Sequence, residues 1–286
     1  MKEIESIIKK IKLSFLFASV LFMLTTSVFS AGNDIGKTID SSTMTGFQIM
    51  EMVYNESKKK NTRKAVVDMK IYDNQGRERV RYFNYWTKFS VDKESSLIKF
   101  FRPKTLKGTA LLTVSKRKLD LKETDDVSEK TNKKMQWFFL PALKSVKQLT
   151  SSDKNKSFMG SDFTYSDIAG RKLSQDAHQL MRENDGVYYV ESVPIDLDSS
   201  LYSKIRYIIS KKYKVIQKAL FYDKEGKLLK TLMNSKISVI NGVNIVMYSE
   251  MFNNQTNNKT ILNVQSMEVG VDIKDDLLSI KGLQAL

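Results

Sequence analysis

Gln136-Trp137-Phe138-Phe139-Leu140-Pro141-Ala142-Leu143-Lys144 sets four large apolar residues in a row ahead of a proline. Side chains of a strand alternate between faces, so Trp137 and Phe139 point one way, Phe138 and Leu140 the other. Both faces of this strand therefore ask for cover. The pair that faces inward is a candidate cavity wall, and the outward pair needs a helix or a partner laid over it. Pro141 ends the element because it brings no backbone donor. A second cluster, Ser157-Phe158-Met159-Gly160-Ser161-Asp162-Phe163-Thr164-Tyr165, alternates rings with Ser, Gly and Asp. It reads as a turn whose aromatics pack beneath the strand. Gly160 admits a backbone angle or a close approach closed to other residues. Asp162 is placed to cap the turn that begins at Phe163.

Outward from these runs, the period of the apolar residues decides each element. Met44, Phe47, Met50 and Tyr54 recur every three or four residues, and Ile49 and Val53 widen the stripe, which predicts a helix over 41–58. Ser42 or Thr43 would cap it. From Arg63 the period becomes two: Val67, Met69 and Ile71 alternate with Asp68 and Lys70, and Asp73-Asn74-Gln75-Gly76 turns the chain into a second strand. Further strands are expected over 96–101, 109–114, 135–140, 145–149, 179–182, 187–193, 205–209, 215–222, 228–232, 237–240 and 243–247. Asn241-Gly242 is a strong two-residue hairpin signal. The strand beyond residue 259 changes phase, with Leu262 and Val264 on one face and Met267, Val269 and Val271 on the other; a bulge or a change of buried face explains that. Residues 274–286 read as a closing helix carrying Leu277, Leu278, Ile280 and Leu283.

The pattern gives a mainly β (α+β) fold: a helix, about eleven antiparallel strands, then a helix. A long antiparallel sheet twists and curls, and its faces and edges must be covered. A strongly curved sheet with the N- and C-terminal helices laid into its mouth meets both demands.

The two aromatic runs, with Lys107-Gly108-Thr109-Ala110-Leu111-Leu112 upstream, resemble the LolA-like family of outer-membrane lipoprotein-sorting proteins. The similarity is strongest from about Phe100 to Ile168 and continues more weakly towards the C-terminus. The resemblance implies an unclosed β-barrel with a helical lid over an apolar cavity. Trp137, Phe138, Phe139, Leu140, Phe47, Met50, Met69, Phe101 and Leu111 are then the candidate lipid-binding wall. Lys107, Gly108, Pro141, Phe158, Met159, Gly160, Asp162, Phe163 and Tyr165 form its structural motif. The implied activity is a non-enzymatic periplasmic carrier of lipoprotein acyl chains, with an inner-membrane exporter of the resistance-nodulation-division (RND) type as a partner. The helices and the 103–108 loop would gate entry.

Residues 1–12 carry four lysines against two glutamates, and 13–29 are uncharged and mostly apolar. This is the pattern of a secretory signal peptide cut after Ser30, leaving a single LolA-like domain over 31–286. The alternative is a retained anchor, since the apolar run approaches the ~20 residues that span a bilayer. With no cysteine in the chain, the fold rests on its core alone. Net charge is +15, and the charged stretch 115–134 reads as an exposed excursion. The positive balance favours anionic partners, such as phospholipid at a transiently touched membrane surface; export makes nucleic acid a poor fit. The bland reading is a solubilising lysine surface.

Catalytic chemistry is poorly provided for. The single histidine, His178, has no nucleophile–acid constellation beside it and reads as a satisfied strand residue. Asp162 and Asp167 lack the ligand register of a calcium loop, and no glycine run cradles a phosphate. No cofactor is expected. Two readings remain: a carrier whose inner surface holds acyl chains of a lipoprotein or another envelope lipid, and an interaction module with a filled core and a basic docking surface.

Overall fold

A computed structural model describes residues 44–116 and 134–284. The signal segment and nearly all of the charged excursion lie outside these residues.

The strands, in chain order, are β1 (Thr62–Tyr72), β2 (Glu78–Phe89), β3 (Lys93–Arg102), β4 (Ala110–Lys116), β5 (Met135–Leu140), β6 (Ser145–Gln148) and β7 (Asp176–Glu183). They continue as β8 (Val187–Pro194), β9 (Lys204–Ser210), β10 (Ile216–Tyr222), β11 (Leu228–Ile240), β12 (Val243–Asn253) and β13 (Lys259–Val269). All thirteen join one antiparallel sheet in the order β6-β5-β4-β3-β2-β1-β13-β12-β11-β10-β9-β8-β7. The order is linear, so the curved sheet is unclosed. Among the described residues, thirteen strands replace the expected eleven or so. Residues 228–232 and 237–240 fuse into β11, where Lys236 takes a positive φ of 51° between them.

The turns fold as their residues require. Asn241 and Gly242 both adopt positive φ, 49° and 74°, and join β11 to β12. The phase change in β13 is a bulge: Val66 pairs with Ser266 and Val67 with Val264, leaving Gln265 as the extra residue. Gln265 Nε2 and Asn263 Nδ2 both donate to Asp68 Oδ1 beside it.

Two covers lie on one face of the sheet, called the inner face here. The first is α1 (Gly46–Lys58). It starts later than the period suggests, because Thr45 caps it: the Thr45 hydroxyl accepts from Gln48 N–H and Gln48 Oε1 accepts from Thr45 N–H. Residues 42 and 43, the expected caps, lie outside the described residues. The second cover is the segment 149–175, which includes α2 (Ser151–Lys154) and α3 (Tyr165–Ala169). The outer face carries the C-terminal residues. The expected closing helix is broken there into a 3-10 turn (Asp275–Leu278) and α4 (Ile280–Gln284). Leu278 and Leu283 are buried, whereas Ile280 is exposed.

Candidate functional site

The inner face is one long apolar surface. Ala65, Val67, Met69 and Ile71 of β1 pack with Phe83, Ile98, Phe100 and Leu111. A second cluster joins Val190, Ile205, Tyr207, Ile209, Ala219, Phe221 and Met251 to Ile49 of α1. A third holds Val243, Ile245 and Val269. Ile168 and Leu262 touch the first two clusters, and Met267 touches the first and third, so shared neighbours link all three. Met44, Met50, Met52, Met159, Met247 and Met267 sit half-buried along this surface. A thioether side chain adapts to variable shapes, so such a lining can repack around a guest.

The covers are held differently. Gly46 places the start of α1 on edge strand β7: a Cβ there would lie 2.7 Å from the backbone of Gln179. At the other end Glu56 is buried, ion-pairs with Lys59 at 2.5 Å and accepts from Asn244 of β12. Burial raises the Glu56 carboxyl, but the bonds from Lys59 and Asn244 outweigh it and hold the group below the usual glutamate range. α1 thus spans the inner face from β7 to β12. The segment 149–175 presses Phe158, fully buried, against Phe100 at 5.9 Å between ring centroids. Tyr165 packs edge-on against both Phe158 and Phe138. Phe163 enters the cluster around α1. Polar ties fasten the segment: Tyr202 Oη donates to Asp167 at 2.8 Å, and Lys230 Nζ pairs with Asp167 at 3.3 Å. Both Tyr202 and Lys230 are buried, so neither group finds water if the tie is lost.

The residues singled out in the sequence divide accordingly. Phe138 faces the inner cluster, together with Met69, Leu111 and, on α1, Met50. Trp137 and Phe139 face outward, where Leu97, Leu112, Ile273, Leu278 and Leu283 cover them. They are therefore not inner-face wall residues, and the C-terminal residues, expected in the mouth of the sheet, lie instead on its outer face over this pair. Phe101 falls at a bulge between β2 and β3, with its ring 6.1 Å from Tyr82 and outside the apolar clusters. Phe47 is 47% exposed and leans on His178 instead of entering the core, because Ile49 takes the buried position. Leu140 is half-buried and joins none of the clusters. The motif residues Gly108 and Pro141 meet: Gly108 has φ +84°, and a Cβ there would lie 3.0 Å from Pro141 Cγ. Exposed Lys107 ends the 3-10 turn Lys104–Leu106 that leads into Gly108. Met159 and Gly160 take positive φ of 53° and 72°. Asp162 does not cap the following turn. Thr164 does so with Asp167, while Asp162 bonds to Thr260 of β13. His178 is satisfied by Ser192 Oγ at 2.7 Å and the Leu173 carbonyl at 3.0 Å.

The described residues also enclose a cleft of about 550 Å³ beside the second cover. Gln136, Lys154, Arg171, Ile195, Leu201 and Tyr202 are among its walls, and none of the nine residues expected as a lipid wall lines it. Most of its wall residues are polar in type, yet more than half of the surface they present to it is apolar. In the sequence Asp167 stands out only as a calcium ligand that lacks partners, and no local pattern marks Tyr202 or Lys230; the three meet from distant parts of the chain. The half-buried Met44, Met52 and Met267 show only as periodic apolar positions. Among the described residues, no group of acidic or histidine side chains could hold a metal ion, and no helix is long and apolar enough to cross a membrane.

Known proteins repeat this architecture. The model of a family described as "Uncharacterized protein" matches residues 92–285. No curated protein matches the chain. An outer membrane lipoprotein-sorting protein domain from Vibrio parahaemolyticus superposes with a TM-score of 0.74 at 24% identity, covering 84% of this chain and 98% of that one. A DUF1329 family protein from Desulfovibrio piger gives 0.71 at 24% identity, with 82% and 97% covered. A LolA superfamily protein from Nitrosomonas europaea gives 0.62 at 19% identity, with 83% and 98% covered. At these identities the likeness is one of fold.

Proposed function

We propose, for a chain that belongs to the family matched over residues 92–285 and has the LolA-superfamily fold, that it is a non-enzymatic periplasmic carrier of acyl chains. The observation that carries this reading is the apolar inner face under two covers, with six half-buried methionines shared between the sheet and those covers. Each methylene moved out of water onto such a face gains about 0.8 kcal/mol. A chain sliding under α1 or the 149–175 segment would replace the cover's apolar contacts with its own. The 103–108 loop lies next to β3 and β4 and is the nearer gate to Leu111. The cargo is a lipoprotein or another envelope lipid delivered towards the outer membrane. An RND-type exporter as donor is supported by the family resemblance alone.

A second reading has a specific observation in its favour. Phe158 and Phe163 already occupy the inner face, as they would in an interaction module with a filled core. The test is to recover the chain from its host, extract it with organic solvent and examine the extract by mass spectrometry, then titrate a fluorescent fatty acid. Stoichiometric co-purifying lipid, or saturable displacement of the probe, supports the carrier. A lipid-free protein that binds no probe supports the module.

A further inference from the structure

The inner face does not stay apolar to its end. Beyond Tyr85, Ile98 and Leu111, the next inward positions on β1 to β4 are Arg63, Thr87, Ser96, Glu94, Thr113 and Ser115. A small chamber of about 40 Å³ lies among them, bounded by Thr87, Glu94 and Lys134 and roofed by Ala169 of the second cover. That is room for about one small oxyanion or two to three waters.

Among the described residues, the cations around it outnumber the carboxylates. Lys134 lies 3.7 Å from Glu94, and Lys58 of α1 lies 3.1 Å from the same carboxylate. Both lysine side chains are only 11% exposed. Lys172 and Arg63 add two more cations nearby, and the one other carboxylate close to Arg63, Glu56, is engaged by Lys59 and Asn244. Burial, reinforced by Lys134, pushes the Lys172 amine down to about 8, and burial lowers Lys134 and Arg63 as well. Donors also stand idle. Thr87, 4% exposed, has no partner for its hydroxyl, and neither has the Nε of Arg63, its pairing partner on β1. Buried hydroxyls and guanidinium groups are rarely left without an acceptor. With two idle donors beside it, and with cations outnumbering carboxylates among the described residues, the chamber is suited to an anion.

We infer that this chamber, lined by Thr87 and Lys134 with Arg63 and Lys172 close by, binds a phosphate oxyanion, and that in the loaded carrier this is the headgroup phosphate of an anionic lipid whose chain runs along the adjoining apolar face. The inference deepens the carrier reading and rests on it: the chamber opens where the hydrophobic clusters stop, so one amphiphile would meet both. Charge-assisted bonds to phosphate are strong when the donors are already desolvated.

The test uses the full chain as recovered from cells and delipidated. Inorganic phosphate and a short-chain phosphatidylglycerol below its micelle concentration are titrated by calorimetry, with a neutral fluorescent acyl alcohol as a control for the apolar face. Phosphate and phosphatidylglycerol should compete. Lys134→Met and Thr87→Val should each weaken both by about tenfold or more and leave the alcohol unchanged. Lys172→Met, at a less buried position, should do the same if Lys134→Met fails to fold. Additive binding of phosphate and lipid would overturn the headgroup assignment. Lipid binding indifferent to all three substitutions would overturn the chamber as an anion site while leaving the carrier intact. Loss of alcohol binding in the parent chain would instead count against the carrier reading.

Discussion

Asp162 and Thr260, 98 residues apart in the chain, exchange two hydrogen bonds: the Asp162 N–H donates to Thr260 Oγ1 at 2.9 Å, and that hydroxyl donates to Asp162 Oδ2 at 2.7 Å. Both residues are buried, and the pair pins the second cover to the middle of the sheet. Thr260→Val keeps the shape but removes the donor and the acceptor together. It should cost about 1–3 kcal/mol in a denaturant titration, whereas Thr260→Ser should cost much less.

The same carboxyl sets a pH dependence. Burial raises the Asp162 pKa above the ordinary aspartate value, against the bond from Thr260 and the charge of Lys230. A folded-state pKa above the unfolded one means that the native state holds the proton longer. Its contribution is complete below about pH 4 and declines as pH rises through the raised folded value. Asp162→Asn should abolish that decline. Melting temperatures of the two proteins, measured from pH 3.5 to 7, should therefore diverge in that window, and parallel curves would count against it.

Gly108 and Gly76 separate backbone strain from crowding. Both have positive φ, +84° and +78°, but only Gly108 has a neighbour, Pro141, within reach of a Cβ. Gly76→Ala should cost about 1–2 kcal/mol, the expense of a left-handed alanine. Gly108→Ala should exceed it measurably, and adding Pro141→Ala should recover the difference.

Phe158 is a fully buried contact of the second cover with Phe100 of the sheet. Phe158→Ala should destabilise the fold by about 3–5 kcal/mol. If the inner face can accept a guest, the same variant should bind a fluorescent fatty acid more tightly than the parent, because the space left behind is apolar. Destabilisation without any gain in probe affinity would favour the filled-core module.

Both tryptophans, Trp86 and Trp137, pack on the outer face against the C-terminal residues. Intrinsic fluorescence thus reports that layer. Leu278→Asp with Leu283→Asp should shift the emission to longer wavelength, while a bound acyl chain should leave it nearly constant. A large ligand-induced shift would place the guest on the wrong side of the sheet.

Much of this arrangement was legible in local signals. Asn241-Gly242 fixed a hairpin, and the broken alternation between Val264 and Met267 marked the bulge at Gln265. The alternation of Trp137 to Leu140 predicted two dry faces, but not which was which. That depends on Leu278 and Leu283, some 140 residues later in the chain. Phe47 misled because periodicity draws a stripe without saying where its centre meets the core. Asp162 misled because a partner in β13 outcompeted the local cap. The cationic chamber had no signature at all: Arg63, Glu94 and Lys134 each look like ordinary surface charge until pairing through β1–β5 brings them together.

The centre of the sheet is the pairing of β1 with β13, its first and last strands in sequence. A growing chain would make every other ladder before this one, leaving two separate half-sheets, each with an open inner edge, until β13 was complete. Folding should then wait for the whole polypeptide and be slow, since its decisive contact closes the longest loop. A fragment ending before Lys259 should remain sticky and protease-sensitive, with neither half able to hide its edge.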